Sequence, residues 1–156
     1  MPWAMATPVQ PPSPRCRPAL GFLAAACLAV SPASAQVAPQ PDSAAVVAAA
    51  RRWVAILDRG RYAESLDSAA PLLRQMTGTT DAWKAFADRS RAGFPASPER
   101  TVVAFDPAPD LPGAPAGHYV RVTFRVSTGS VIVAEIVVLQ ETPPDWRVAM
   151  YGTRPG

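Results

Sequence analysis

The feature that most constrains this chain is a change of hydrophobic period near Pro98. Before it, apolar residues recur every three or four positions, as on one face of a helix. After it they alternate every two, as on one face of a strand. A chain written this way buries its apolar faces by laying a helical layer on a mostly antiparallel sheet, an α+β arrangement.

The helical part falls into three runs. From Ser43, Val46, Ala50, Trp53 and Leu57 form one stripe that Val47 and Val54 widen, with Arg51, Arg52 and Arg59 off it. Asp42 or Ser43 suits the N-cap, and Gly60 lies where a left-handed C-cap is wanted. The second run restarts at Arg61 and carries Tyr62, Leu66, Ala69 and Leu73 on one face. Pro71 lies inside it, and a proline there loses a helical hydrogen bond and clashes with the preceding turn. A break is therefore expected near Ala70. The third run starts after "TGTT" with Thr80 as cap, and Trp83, Phe86, Ala87, Ser90 and Phe94 form its inner face. The intervening stretch "LDRGRYAESLDSAA" could be a functional loop with Asp58, Tyr62 and Glu64 poised for chemistry, but it reads as a helical elbow: Gly60 takes a positive φ, Tyr62 joins the buried stripe, and Arg59, Arg61 and Glu64 face water.

Four strand-like runs follow: "RTVVAF", "HYVRVTFRV", "VIVAEIVVLQ" and "WRVAMY". In the first, Thr101, Val103 and Phe105 alternate against Val102 and Ala104. In the second, Val120, Val122, Phe124 and Val126 share a face. In the fourth, Trp146, Val148 and Met150 do so. A three-residue turn at Ser127–Gly129 would set Phe124 opposite Ile132 and Arg121 opposite Glu135, leaving one face wholly apolar. A slip of one position would bury the Glu135 carboxylate, and an unpaired buried carboxylate costs on the order of several kcal/mol. The expected register therefore makes Glu135 a surface partner of Arg121.

The N-terminal part reads as an export leader. Arg15 and Arg17 precede the apolar run "ALGFLAAACLAV", which is short for a bilayer span, and Ala33 and Ala35 occupy the small-residue positions before Gln36. Cleavage is expected there, so that residues 1–35 form an extension and signal peptide, 36–42 a linker and 43–154 one domain. The expected location is periplasmic or secreted. Leu23 stands one position too far from Cys27 for a good lipobox, which argues against a lipid anchor at that cysteine. Both cysteines lie in the leader, so no disulfide is expected beyond it. There, thirteen Lys and Arg face twelve Asp and Glu, and no basic stripe exists. Nucleic-acid binding needs clustered cations and is disfavoured. No later stretch is long and apolar enough for a membrane span.

Catalytic patterns are sparse. One histidine, His118, and no cysteine after the leader leave no His/Cys metal cluster, and no cofactor is implied. His118 heads a strand with no nucleophile-elbow serine, so a Ser-His-Asp triad is unsupported. The prolines of "LPGAPAG" remove the N–H donors a phosphate cradle needs. Asp106 and Asp110 lack calcium-loop spacing. What remains is a set that could converge on one sheet face: Tyr119, Arg121, Glu135 and Tyr151, with Arg91 or Arg100 arriving from the helix-to-strand junction.

The succession "ARRWVAILDRGRYAESLDSAAPLLRQM", "DAWKAFADRSRAGF", "LPGAPAGHYVRVTF", "AEIVVLQE" and "DWRVAMYG" resembles the bacterial family catalogued as domain of unknown function 4019. The resemblance runs from about Ala44 to Tyr151. Its matching features are Trp53, the Asp58/Gly60/Tyr62 elbow, Trp83, Arg91 with Gly93, Arg100, the Pro112–Pro115 loop, Glu135, Trp146-Arg147-Val148 and Tyr151. Leu66 stands where the family often has Trp, and Met150 where it often has Gly. The resemblance implies an exported protein without an assigned activity. By fold-level analogy it suggests a curved, cone-like sheet of the nuclear-transport-factor-like kind. The expectation is thus three N-terminal helices on a four-stranded sheet, serving as a non-catalytic module that binds a small ligand or an envelope protein. The alternatives are an enzyme using Glu135 as acid/base, with Arg121 or Tyr119 positioning substrate, and a purely structural accessory domain.

Overall fold

The computed structural model describes residues 41–156 except 109, 110 and 112. The expected leader, with its expected cleavage site at Ala33, Ala35 and Gln36, and Cys27 and Asp110 lie outside the described residues. Four helices precede four strands: α1 (Ser43–Asp58), α2 (Tyr62–Asp67), α3 (Pro71–Thr77), α4 (Thr80–Ser90), then β1 (Arg100–Pro107), β2 (Tyr119–Thr128), β3 (Val131–Thr142) and β4 (Asp145–Pro155). The strands form one antiparallel sheet in the order β1-β2-β3-β4.

Asp42 caps α1, its carboxylate accepting from the Ala44 N–H at 3.0 Å. At the far end Gly60 has φ +67°, and the Arg61 N–H reaches back to the Ile56 carbonyl at 3.2 Å. This left-handed closure turns the chain into α2, as the elbow reading requires. Pro71 divides the second run into α2 and α3, so three runs give four helices. It sits at the first position of α3, where its missing N–H costs nothing. The Ala70 N–H, freed by the break, donates to the Val148 carbonyl of β4 at 2.8 Å. The α4 cap is Thr79 rather than Thr80, its hydroxyl accepting from the Ala82 N–H at 3.2 Å. Along α4 only Trp83 and Ala87 are buried, whereas Phe86 lies at the helix rim.

The main core lies between the helices and one sheet face. Val46, Ala50, Trp53, Leu57, Leu66 and Trp83 pack on Val120, Val122, Phe124, Val137 and Leu139. A smaller cluster on the reverse face joins Tyr119, Val138 and Ala149 to Leu72 and Ala108.

Two bulges alter the expected alternation. In β1 the register shifts between Val102 and Ala104, so Val103 is the extra residue, and it is exposed. Val102 and Phe105 can then both pack on the main core. Between β3 and β4 the shift falls at Val138/Leu139, with Met150 opposite Val138 and Val148 opposite Leu139. Ala149 is the extra residue, so Val148 and Tyr151 both face the helices while Met150 joins the reverse face. The expected common face for Val148 and Met150 is thereby corrected. A bulge re-aims the side chains that follow it.

The β2–β3 register also differs from expectation. Thr128 pairs with Val131, so Gly129-Ser130 forms a two-residue turn. Gly129 has φ +67° and Ser130 does not, the pattern of a II′ turn. Phe124 therefore faces Glu135, and Arg121 faces Val138. Relative to the three-residue turn, β3 has slid by an odd number of residues, which moves Glu135 from the solvent face to the helix face.

Candidate functional site

Glu135 is completely buried, and it is not alone there. Arg100, the first residue of β1, lies on the same sheet face and donates to both carboxylate oxygens: Nε to Oε2 and Nη2 to Oε1, at 2.5 and 3.2 Å. The other edge of the same guanidinium holds Asp58, the last residue of α1, through Nη1 and Nη2 at 2.8 and 2.9 Å. Arg91, which caps α4, donates through Nη2 to Asp58. Its Nη1 lies 3.6 Å from Glu135 Oε1. The Tyr151 hydroxyl, placed by the Ala149 bulge, donates to that same oxygen at 2.8 Å.

Two guanidiniums thus neutralise two carboxylates where helix ends meet the sheet. The side chains of Arg100, Arg91 and Asp58 keep 6%, 11% and 18% of their surface. Burial alone would lower the Arg100 pKa; its hydrogen bonds to Glu135 and Asp58 outweigh it, and the net shift is upward. The planar fork satisfies two carboxylates at once, geometry a lysine cannot reproduce. The charge that the register argument treated as unpaired is paired. Its partners lie far away in sequence, so no local pattern reveals them.

An aromatic wall backs the cluster. The Tyr151 ring lies 5.5 Å from Trp53 and 5.9 Å from Trp83, and the two indoles are 5.9 Å apart. Buried indole N–H groups need acceptors. Ser65, fully buried in α2, supplies both: its carbonyl takes Trp53 at 2.8 Å and its hydroxyl takes Trp83 at 2.9 Å.

The structure therefore unites four residues of the set read from sequence: Arg91, Arg100, Glu135 and Tyr151. It adds Asp58, which the elbow reading sets aside because capping and periodicity give every residue of that stretch a structural role. A carboxylate ending an apolar stripe was the available signal. Tyr119 and Arg121 are excluded from the cluster. Tyr119 is buried on the reverse face with its hydroxyl donating to the Pro115 carbonyl at 2.8 Å. Arg121 is exposed on that face. His118 pairs with Glu141 in solvent. Among the described residues, no group of three His, Cys, Asp or Glu side chains is placed to hold a metal ion.

The reverse face carries a concavity of about 440 Å³. Ile136, Val138, Met150 and Gly152 line it, with Leu111 from the β1–β2 loop and Arg121 and Arg154 also present. A Cβ added at Gly152 would meet nothing within 4 Å, so that part of the surface is open.

The family described as "Protein of unknown function (DUF4019)" matches residues 49–151. The chain belongs to that family. No curated protein and no solved structure matches it. The DUF4019 match begins within α1 and ends on Tyr151, so it takes in all five members of the buried cluster.

Burial, followed by the Glu135 carboxylate, pushes the Tyr151 phenol well above its ordinary value of 10.0. The folded protein therefore keeps a proton that the unfolded chain releases above about pH 10. Stability should fall as pH rises beyond that point, by up to about 1.4 kcal/mol per pH unit from this group. Tyr151→Phe should make that fall shallower in urea titrations between pH 9 and 11. An unchanged slope would show that the phenol is not held as described.

Proposed function

We propose that this protein is an exported, non-catalytic binding module that takes a small ligand in the concavity on the reverse face of its sheet. The observation that carries this reading is the contrast between the two faces. The charged cluster is closed and internally neutral, whereas the opposite concavity is open and lined by Ile136, Val138, Met150 and Leu111 beside Arg121 and Arg154. Ligand sites are typically concave, largely apolar and furnished with a few polar groups. The acid/base alternative loses its support because Glu135 has no exposed surface, and Tyr119 and Arg121, its proposed helpers, stand across the sheet. Export is supported by the order of Arg15, Arg17, the apolar run and Ala33/Ala35.

Two measurements test this. Mass spectrometry of the protein recovered from a periplasmic or secreted fraction should find Gln36 at the N-terminus; a cytoplasmic chain with the leader intact would refute export. A panel of small carboxylates, amines, sugars and neutral amphiphiles, followed by amide chemical shifts, should perturb Ile136, Val138, Met150 and Gly152. Shifts confined to the Asp58–Glu135 cluster, binding only of an envelope protein, or no shift with any compound would refute the small-ligand reading.

A further inference from the structure

On the reverse face, β3 presents Ala134, Ile136 and Val138 in succession, and its neighbours place arginines beside them. Arg125 and Arg154 both pair with Ala134 from opposite sides, and Arg121 pairs with Val138. All three arginines are exposed. Among the described residues, no carboxylate oxygen lies within 4 Å of their guanidinium nitrogens, although Asp106 of β1 stands opposite Arg121. The described ion pairs lie on the helix surface, between His118 and Glu141 of β3, or inside the closed cluster.

Such a face offers two kinds of contact side by side. Ile136, Val138, Met150 and Leu111 remove hydrocarbon from water, while the guanidiniums favour a planar anion through paired N–H donors. Gly152 lies across from Ile136 and leaves the strip between Arg154 and Met150 low enough for a chain to lie along it. The volume, about 440 Å³, suits a small molecule.

We infer that the ligand is a free monocarboxylate with a medium-length hydrocarbon tail, its carboxylate at Arg154 beside Ala134 and its tail on the Ile136–Val138–Met150 floor. This inference rests on the binding reading above and specifies its ligand class. The charge on the head and the hydrocarbon body are both required: a sugar lacks the tail and a simple anion lacks the contact area.

The test uses the chain lacking its leader, with n-octanoate, 1-octanol, n-octylamine and butyrate as probes, read by amide chemical shifts and calorimetry. Octanoate should bind with shifts at Ile136, Val138, Met150 and Gly152, and butyrate and octylamine should bind at least tenfold more weakly. Arg154→Ala should weaken octanoate about tenfold, the loss of one charge-assisted contact, while leaving the weaker 1-octanol affinity unchanged. Ile136→Asp should abolish octanoate binding, with its fold checked by circular dichroism. Equal affinity for octanoate and 1-octanol, binding only to anionic phospholipid vesicles, or an unchanged Arg154→Ala affinity would overturn the inference. If the panel finds a sugar or amine in this concavity instead, the carboxylate class falls and the binding reading stands. If no compound perturbs it, both fall.

Discussion

Arg100→Met is expected to destabilise the protein by about 3–5 kcal/mol, the usual result of stranding one partner of a buried ion pair. Arg100 supplies four of the hydrogen bonds that hold Glu135 and Asp58. Without it Glu135 keeps the Tyr151 hydroxyl and the more distant Arg91. One neutral donor does not compensate a carboxylate with no access to water. Small domains have only about 5–15 kcal/mol of stability in total, so the urea midpoint should drop sharply. Arg100→Lys should lie between, since it restores the charge without the two-edged fork. A shift in Arg100→Met of under 1 kcal/mol would mean that Glu135 finds water or another partner.

Trp83→Ala is the other large effect, expected at about 3–5 kcal/mol for a fully buried indole. Trp83 has no exposed surface, touches the rings of Trp53 and Tyr151, and ties α4 to α2 through Ser65. The cavity would open behind the Tyr151 ring, so looser packing should reach the phenol that meets Glu135. Trp83→Phe should cost less, because it fills most of the volume and loses mainly the indole hydrogen bond. Denaturant unfolding of both variants checks the order. A loss for Trp83→Phe equal to that for Trp83→Ala would show that the hydrogen bond, not volume, dominates.

The helical layer was legible because each device acts within a few residues. Asp42 caps, Gly60 turns, and Pro71 breaks, each for a local steric or hydrogen-bonding reason. The inward face of β2 was legible for the same reason, its alternation being uninterrupted. The relation of β2 to β3 is not legible in this way. Gly129-Ser130 carries the turn signal, but the cost of an unpaired buried carboxylate points to the longer turn. That cost applies only to an unpaired carboxylate, and the pairing depends on Arg100 and Arg91 arriving from other elements. Simple alternation places Tyr151 on the same face as Tyr119 and Arg121, whereas the structure turns it toward the helices. The Ala149 bulge that brings it inward leaves no mark in an otherwise regular strand. Asp58 reads as part of the elbow because a helix-end carboxylate beside two exposed arginines looks like an ordinary surface residue. Long-range charge neutralisation and bulges are tertiary facts, and this site is built from both.

The central claim is that Glu135 faces the core because Arg100 neutralises it there. Equilibrium urea unfolding of the original chain, Arg100→Met, Glu135→Leu and the double variant tests it directly. Replacing a whole buried pair with apolar side chains is often tolerated where removing one member is not. The double variant should therefore be more stable than Arg100→Met, with a coupling above about 1 kcal/mol. Strictly additive losses would contradict the account and return Glu135 to the solvent face.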